Sequence, residues 1–174
     1  LCDRRQRQMC IRDRCALQWE DISLSNSILK VRKTMQRIQD TNVGATTKTK
    51  IIITEPKSQC SIRDIPLPAF IVDIAKQFAD APKAFILSGE KKKYIEPRTM
   101  QNRFKALVVE SKIDDANFHC LRHTFATRCV EVGFEIKSLS EILGHANVNI
   151  TLNRYVHSSF DLKYSNMNKL SLPA

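Results

Sequence analysis

Leu29, Val31, Lys33 and Met35 alternate with Lys30, Arg32 and Thr34, and this period of two predicts a strand with one wet face. A second strand is predicted through Ile51–Thr54, and a third over Ser61–Leu67, closed by Pro66 and Pro68. The polar stretch Gln39–Lys50, with Gly44 inside it, reads as an exposed loop, so the strands make a small antiparallel three-stranded sheet. Ahead of it, Cys15–Trp19 reads as the end of a short helix and Asp21–Ser27 as a polar turn.

Beyond Pro68 the period changes. Phe70, Ile71, Ile74, Ala75 and Phe78 recur at helical spacing up to Asp80 and Pro82. Phe85-Ile86-Leu87 is a short buried segment before the basic loop Lys91–Lys93. Pro97 then opens a helix with Met100, Phe104, Leu107 and Val108 on its inner side. Asn117 is the candidate cap of the next helix, whose Leu121, Phe125 and Cys129 are placed to face a core and which Gly133 ends. Ser138 or Ser140 is expected to precede a short helix reaching Leu143, and a last helix from about Val148 carries Tyr155. The fold class is therefore α+β, mostly helical with a small antiparallel sheet. No internal repeat or interdomain linker is visible.

With 174 residues and a 43% hydrophobic fraction the chain can bury an ordinary core, so disorder is excluded as the default. Lys and Arg outnumber Asp and Glu by 28 to 18, and the net charge of +10 makes nucleic acid the leading partner class. Charge alone does not choose DNA over RNA. Six scattered cysteines without a C-x-x-C pair, and no secretory signal or bilayer-length apolar stretch, point to a reducing cytoplasm and no membrane partner. His119 and His123 share a helix face, but no second pair at zinc spacing accompanies them, so no metal is expected.

The chemistry concentrates in His119-Cys120-Leu121-Arg122-His123-Thr124-Phe125-Ala126-Thr127, then Leu143-Gly144-His145 and, ten positions on, Tyr155. His119 and Arg122 stand three apart and project from one helix face, whereas His123, the neighbour of Arg122, points about 100° away from that arginine and suits a structural hydrogen bond. A phosphodiester held by arginine and histidine can be attacked by a positioned tyrosine hydroxyl, and the phosphotyrosine so formed stores the bond energy without a cofactor. Each residue alone is weak evidence, but four at these separations seldom coincide.

This constellation resembles the active site of the tyrosine recombinases, the phage and transposon integrases. The likeness extends through Ala16-Leu17-Gln18-Trp19-Glu20-Asp21-Ile22 and Ser61-Ile62-Arg63-Asp64-Ile65-Pro66-Leu67-Pro68. It implies site-specific DNA recombination and integration. Tyr155 is the nucleophile that forms a 3′-phosphotyrosine, Arg122 and His145 bind the scissile phosphate, and His119 assists by hydrogen bonding or by taking the tyrosine proton. A catalytic lysine is implied at Lys57, where it protonates the leaving 5′ hydroxyl; Lys48 and Lys50 are its rivals. Double-stranded DNA, a homotetramer on that DNA and a bacterial or phage-encoded protein of the cytoplasm are implied as well. The resemblance also makes Phe160–Leu172 a tail helix that docks on a neighbouring protomer or folds back on its own.

One departure stands out. The family spacing, counted back nine positions from Trp19, puts the first catalytic arginine at Cys10, and the Gly and Glu usual after it are replaced by Arg12 and Asp13. Residues 1–14 read as an atypical segment foreign to the rest. The expected organisation is a catalytic domain over residues 15–174 without a core-binding domain before it. Two alternatives stand beside the recombinase. Cys10 favours a catalytically silent DNA-binding remnant, and a type IB topoisomerase shares the chemistry but relaxes DNA without pairing partners.

Overall fold

The computed structural model describes residues 11–41, 48–56, 58–91, 93–114 and 116–155, together with Tyr164, Met167 and Asn168. Cys10, Lys57 and most of the tail over Phe160–Leu172 lie outside the described residues. The chain divides into two compact units, Leu1–Thr124 and Phe125–Ala174.

The first unit opens with a helical stretch over residues 11–16 (α1) and a 3₁₀ turn at Trp19–Asp21. Five strands follow: β1 Ile22–Ser23, β2 Ile28–Val31, β3 Thr34–Gln39, β4 Thr49–Thr54 and β5 Arg63–Pro66. They form two antiparallel arrays rather than one. The three-stranded sheet has the order β1-β2-β5, with Leu29 opposite Ile65, while β3 and β4 pair as a separate ribbon with Met35 opposite Ile53.

The single strand expected through Leu29–Met35 is thus broken after Val31, and β4 pairs with β3 instead of joining β5. The cause lies in Lys33. Its ammonium donates to Gln18 Oε1 at 2.8 Å and to Glu20 Oε1 at 2.7 Å, and lies 3.4 Å from Asp21, which draws the chain out of the ladder. Burial alone lowers the Lys33 pKa, but its bond to Glu20 and the charge of Asp21 prevail and raise it. The expected turn at Asp21–Ser27 also contains the short β1.

Helix α2, Ala69–Phe78, buries Val72 but leaves Phe70, Ile74 and Phe78 exposed. Helix α3, Pro97–Glu110, starts on the proline as expected, with Val108 buried; Leu107, expected inside, is exposed. The core of this unit is Ile11, Cys15, Ala16, Met35 and Phe85, with Ile51, Leu87, Met100 and Phe118 against it. The segment after α1 is tied to the Phe85 region by backbone bonds, Ile86 N–H to the Leu17 carbonyl and Trp19 N–H to the Ala84 carbonyl, both at 3.1 Å.

Burial pushes the Cys15 thiol up to about 12. At pH 8 the folded protein therefore keeps Cys15 as an unreactive thiol, and iodoacetamide labels it only after unfolding, whereas the half-buried Cys60 and Cys120 label in the native state. Peptide mapping after timed alkylation checks this. The fold holds a proton that the unfolded chain releases above pH 9, so this group's contribution to stability falls as pH climbs from 9 towards 12.

Helix α4, Cys120–Glu131, crosses the division between the units after Thr124. It stops where Gly133 takes φ +82°, and the Phe134 N–H returns to the Cys129 carbonyl at 2.9 Å. Helices α5, Ile136–Leu143, and α6, Val148–Tyr155, complete the second unit. Its core gathers Ala126, Cys129, Leu139, Leu143 and Tyr155. Leu121 and Phe125, expected to face a core, are 44% and 46% exposed; of that series Cys129 alone is buried. The cap of α5 is Glu135, not Ser138 or Ser140. Its two carboxylate oxygens accept the Lys137 and Ser138 N–H groups at 3.0 and 2.7 Å, so one side chain satisfies two helix-end donors. The bonds from Ser138 hold the Glu135 carboxyl below its ordinary value.

Candidate active site

In the first unit His119 and Arg122 share one turn at the start of α4. Asn117 Oδ1 accepts the His119 N–H at 2.9 Å and its carbonyl accepts the Cys120 N–H, so Asn117 caps the turn as expected. The Arg122 N–H closes on the His119 carbonyl at 3.0 Å, fixing the two side chains one turn apart. His119 is 5% exposed and Arg122 half-buried. His123 sets its ring edge-on to His119, with centroids 4.4 Å apart.

The residue before His119 anchors this turn. Phe118 packs edge-on against Phe104 of α3, with centroids 5.3 Å apart, and takes the Arg14 guanidinium over its ring at 5.1 Å. The turn is thereby held to both α1 and α3. Beside it opens a cavity of about 230 Å³, lined by Arg98, Gln101, Asn102 and Lys105 from one face of α3 and by Asn117–His119.

Asp13 was not among the expected site residues. It is 5% exposed, its carboxylate lies 3.7 Å from Arg63 of β5, and it sits in the field of Arg122. Burial raises its pKa above the ordinary 3.8, against the pull of Arg63, Thr34 and Arg122, because an ion pair this long repays little of the desolvation. The replacement of the usual Glu by another acid was the one signal for it in the sequence.

In the second unit Gly144 ends α5 at φ +70°, a left-handed conformation that suits glycine, and turns the chain so that the His145 N–H reaches the Ser140 carbonyl at 3.0 Å. His145 is 8% exposed, and its Nδ1 lies 2.7 Å from Thr151 Oγ1. Asn147 caps α6 by accepting the Asn149 N–H at 2.9 Å. Tyr155, at the end of that helix, packs its ring against the α5 leucines and is 9% exposed. His119 and Arg122 are thus brought together in one unit, and His145 and Tyr155 belong to the other. Among the described residues no group of three or more His, Cys, Asp or Glu side chains could hold a metal ion, and no helix is long and apolar enough to cross a membrane.

Comparison with known proteins places this arrangement. The chain is 27% identical over 157 residues to a XerC-like tyrosine recombinase of Caldanaerobacter subterraneus subsp. tengcongensis, a match covering 81% of this chain and 40% of that one. Over 62 residues, 36% of this chain and 15% of the other, it is 42% identical to the transposase of transposon Tn916 of Enterococcus faecalis. Among solved structures it resembles the integrase of transposon Tn1549 in complex with circular intermediate DNA, with a TM-score of 0.72 and 25% identity over 92% of this chain and 55% of that one. The chain therefore spans about half or less of the length of these proteins. Their shared architecture agrees with the α+β fold expected from the sequence. The phage integrase family profile covers residues 7–161, which include His119, Arg122, His145 and Tyr155, and the chain belongs to that family as a tyrosine recombinase catalytic domain.

Proposed function

We propose that this domain carries out site-specific recombination of double-stranded DNA, as in the integration of a mobile element, by cutting and rejoining strands through a 3′-phosphotyrosine on Tyr155. The observation that carries the reading is one family profile running through all the candidate catalytic positions. The Tyr155 oxygen forms a bond to phosphorus, the bond from phosphorus to the 5′ oxygen breaks, and the tyrosine proton passes to His119. Arg122 holds a nonbridging oxygen with its forked guanidinium, and His145 donates to the same phosphate. Lys57 gives a proton to the leaving 5′ oxygen, which departs as the 5′ hydroxyl. The next strand reverses the step, so no bond energy is lost and no cofactor or metal is called for.

The net charge of +10 supports a polyanionic partner, and the proposed assembly is a homotetramer on two duplexes in the bacterial cytoplasm, at the nucleoid. Cys10 favours a second reading, a DNA-binding remnant that has lost catalysis. A pool of nicked duplexes with a randomised centre separates the two, because the nick lets the cleaved strand diffuse away and traps the intermediate. The expected result is a protein–DNA band that survives SDS and disappears on proteolysis. Binding to the pool without any such band would overturn catalysis and leave the silent binder.

A further inference from the structure

The contact between His145 and Thr151 has a direction. Thr151 is completely buried and His145 nearly so, and the 2.7 Å separation joins the end of α5 to the middle of α6. Among the described residues the imidazole is the only hydrogen-bond partner of the threonine hydroxyl. A hydroxyl carries one proton. If Thr151 accepted from an Nδ1–H, its own proton would be buried with no acceptor, whereas donation to a bare Nδ1 satisfies both groups.

We infer that Thr151 is a positioning residue: it donates to Nδ1 of His145, keeps the ring proton on Nε2, and so makes His145 a neutral donor with a fixed ring plane. Rotation of the ring would break a buried bond, so the orientation is set before DNA arrives. Thr151 also stands four residues before Tyr155, one turn away on the same face of α6. The helix that bears the nucleophile therefore also orients the histidine, and the two move as one piece. The use of that donor at the scissile phosphate rests on the proposed function; the tautomer does not.

Long-range ¹⁵N–¹H NMR of the full chain reads the tautomer directly, with the His145 signals identified by their absence in His145→Asn. The expected spectrum has an unprotonated Nδ1 and a protonated Nε2 in the wild type and in Thr151→Ser, and a mixture or the opposite tautomer in Thr151→Val. Trapping on nicked duplexes is expected to slow about tenfold or more in Thr151→Val while binding stays within about twofold, and to recover in Thr151→Ser. An Nδ1–H in the wild type, or an unchanged tautomer in a folded Thr151→Val, overturns the inference. The wild-type spectrum needs no variant, so the inference remains testable if Thr151→Val does not fold. Failure of the recombinase reading shows itself separately, as the absence of covalent adduct from the wild-type chain.

Discussion

Tyr155→Phe is expected to abolish the covalent protein–DNA band and to leave binding to nicked duplex within about twofold, because on the proposed mechanism the change removes the attacking oxygen and little else. The ring is a structural member of the second unit, packed with Ala126, Cys129, Leu139 and Leu143. Phenylalanine fills the same volume, so the core stays closed and the cost in stability is on the order of 1 kcal/mol, the worth of a hydroxyl contact. Thermal melting of the variant checks that part. The chain has three tyrosines, which makes the outcome decisive. Tyr94 stands exposed in the loop before α3, edge-on to Phe85, and Tyr164 is exposed beyond α6. A band that persists in Tyr155→Phe and disappears in Tyr94→Phe or Tyr164→Phe would move the nucleophile and overturn the assignment.

The features that were legible in the sequence are local ones. Pro97, Asn117 and Gly133 mark helix ends by rules that act within a few residues, and the structure keeps all three. Spacing shows which side chains share a face, not whether that face is covered, and so Leu107 and Phe125 were expected inside and are exposed. The break between β2 and β3 follows from a lysine whose partners lie in the 3₁₀ turn before β1, which no alternation along Leu29–Met35 could reveal. At the site the same division holds. The His119–Arg122 turn and the run from Leu143 to Tyr155 are contiguous motifs and could be read directly. Asp13 between two arginines, Phe118 clamped by Arg14 and Phe104, and Thr151 against His145 depend on segments that only folding brings together.

Cys10→Arg is expected to raise the rate of adduct formation about a hundredfold, since one charged contact to a transition-state oxygen is worth about 3 kcal/mol. In the sequence, position 10 stands three before Asp13. Asp13 is already buried, and desolvation raises its pKa despite Arg63 and Arg122. Time courses of trapping on nicked duplex compare the two proteins, and Cys10→Arg combined with Tyr155→Phe must give no band. An unchanged rate, with Tyr155 still required, would mean that Arg12 or Arg14 already supplies the missing cation. For Arg14 that would require leaving the Phe118 ring, over which it now lies at 5.1 Å.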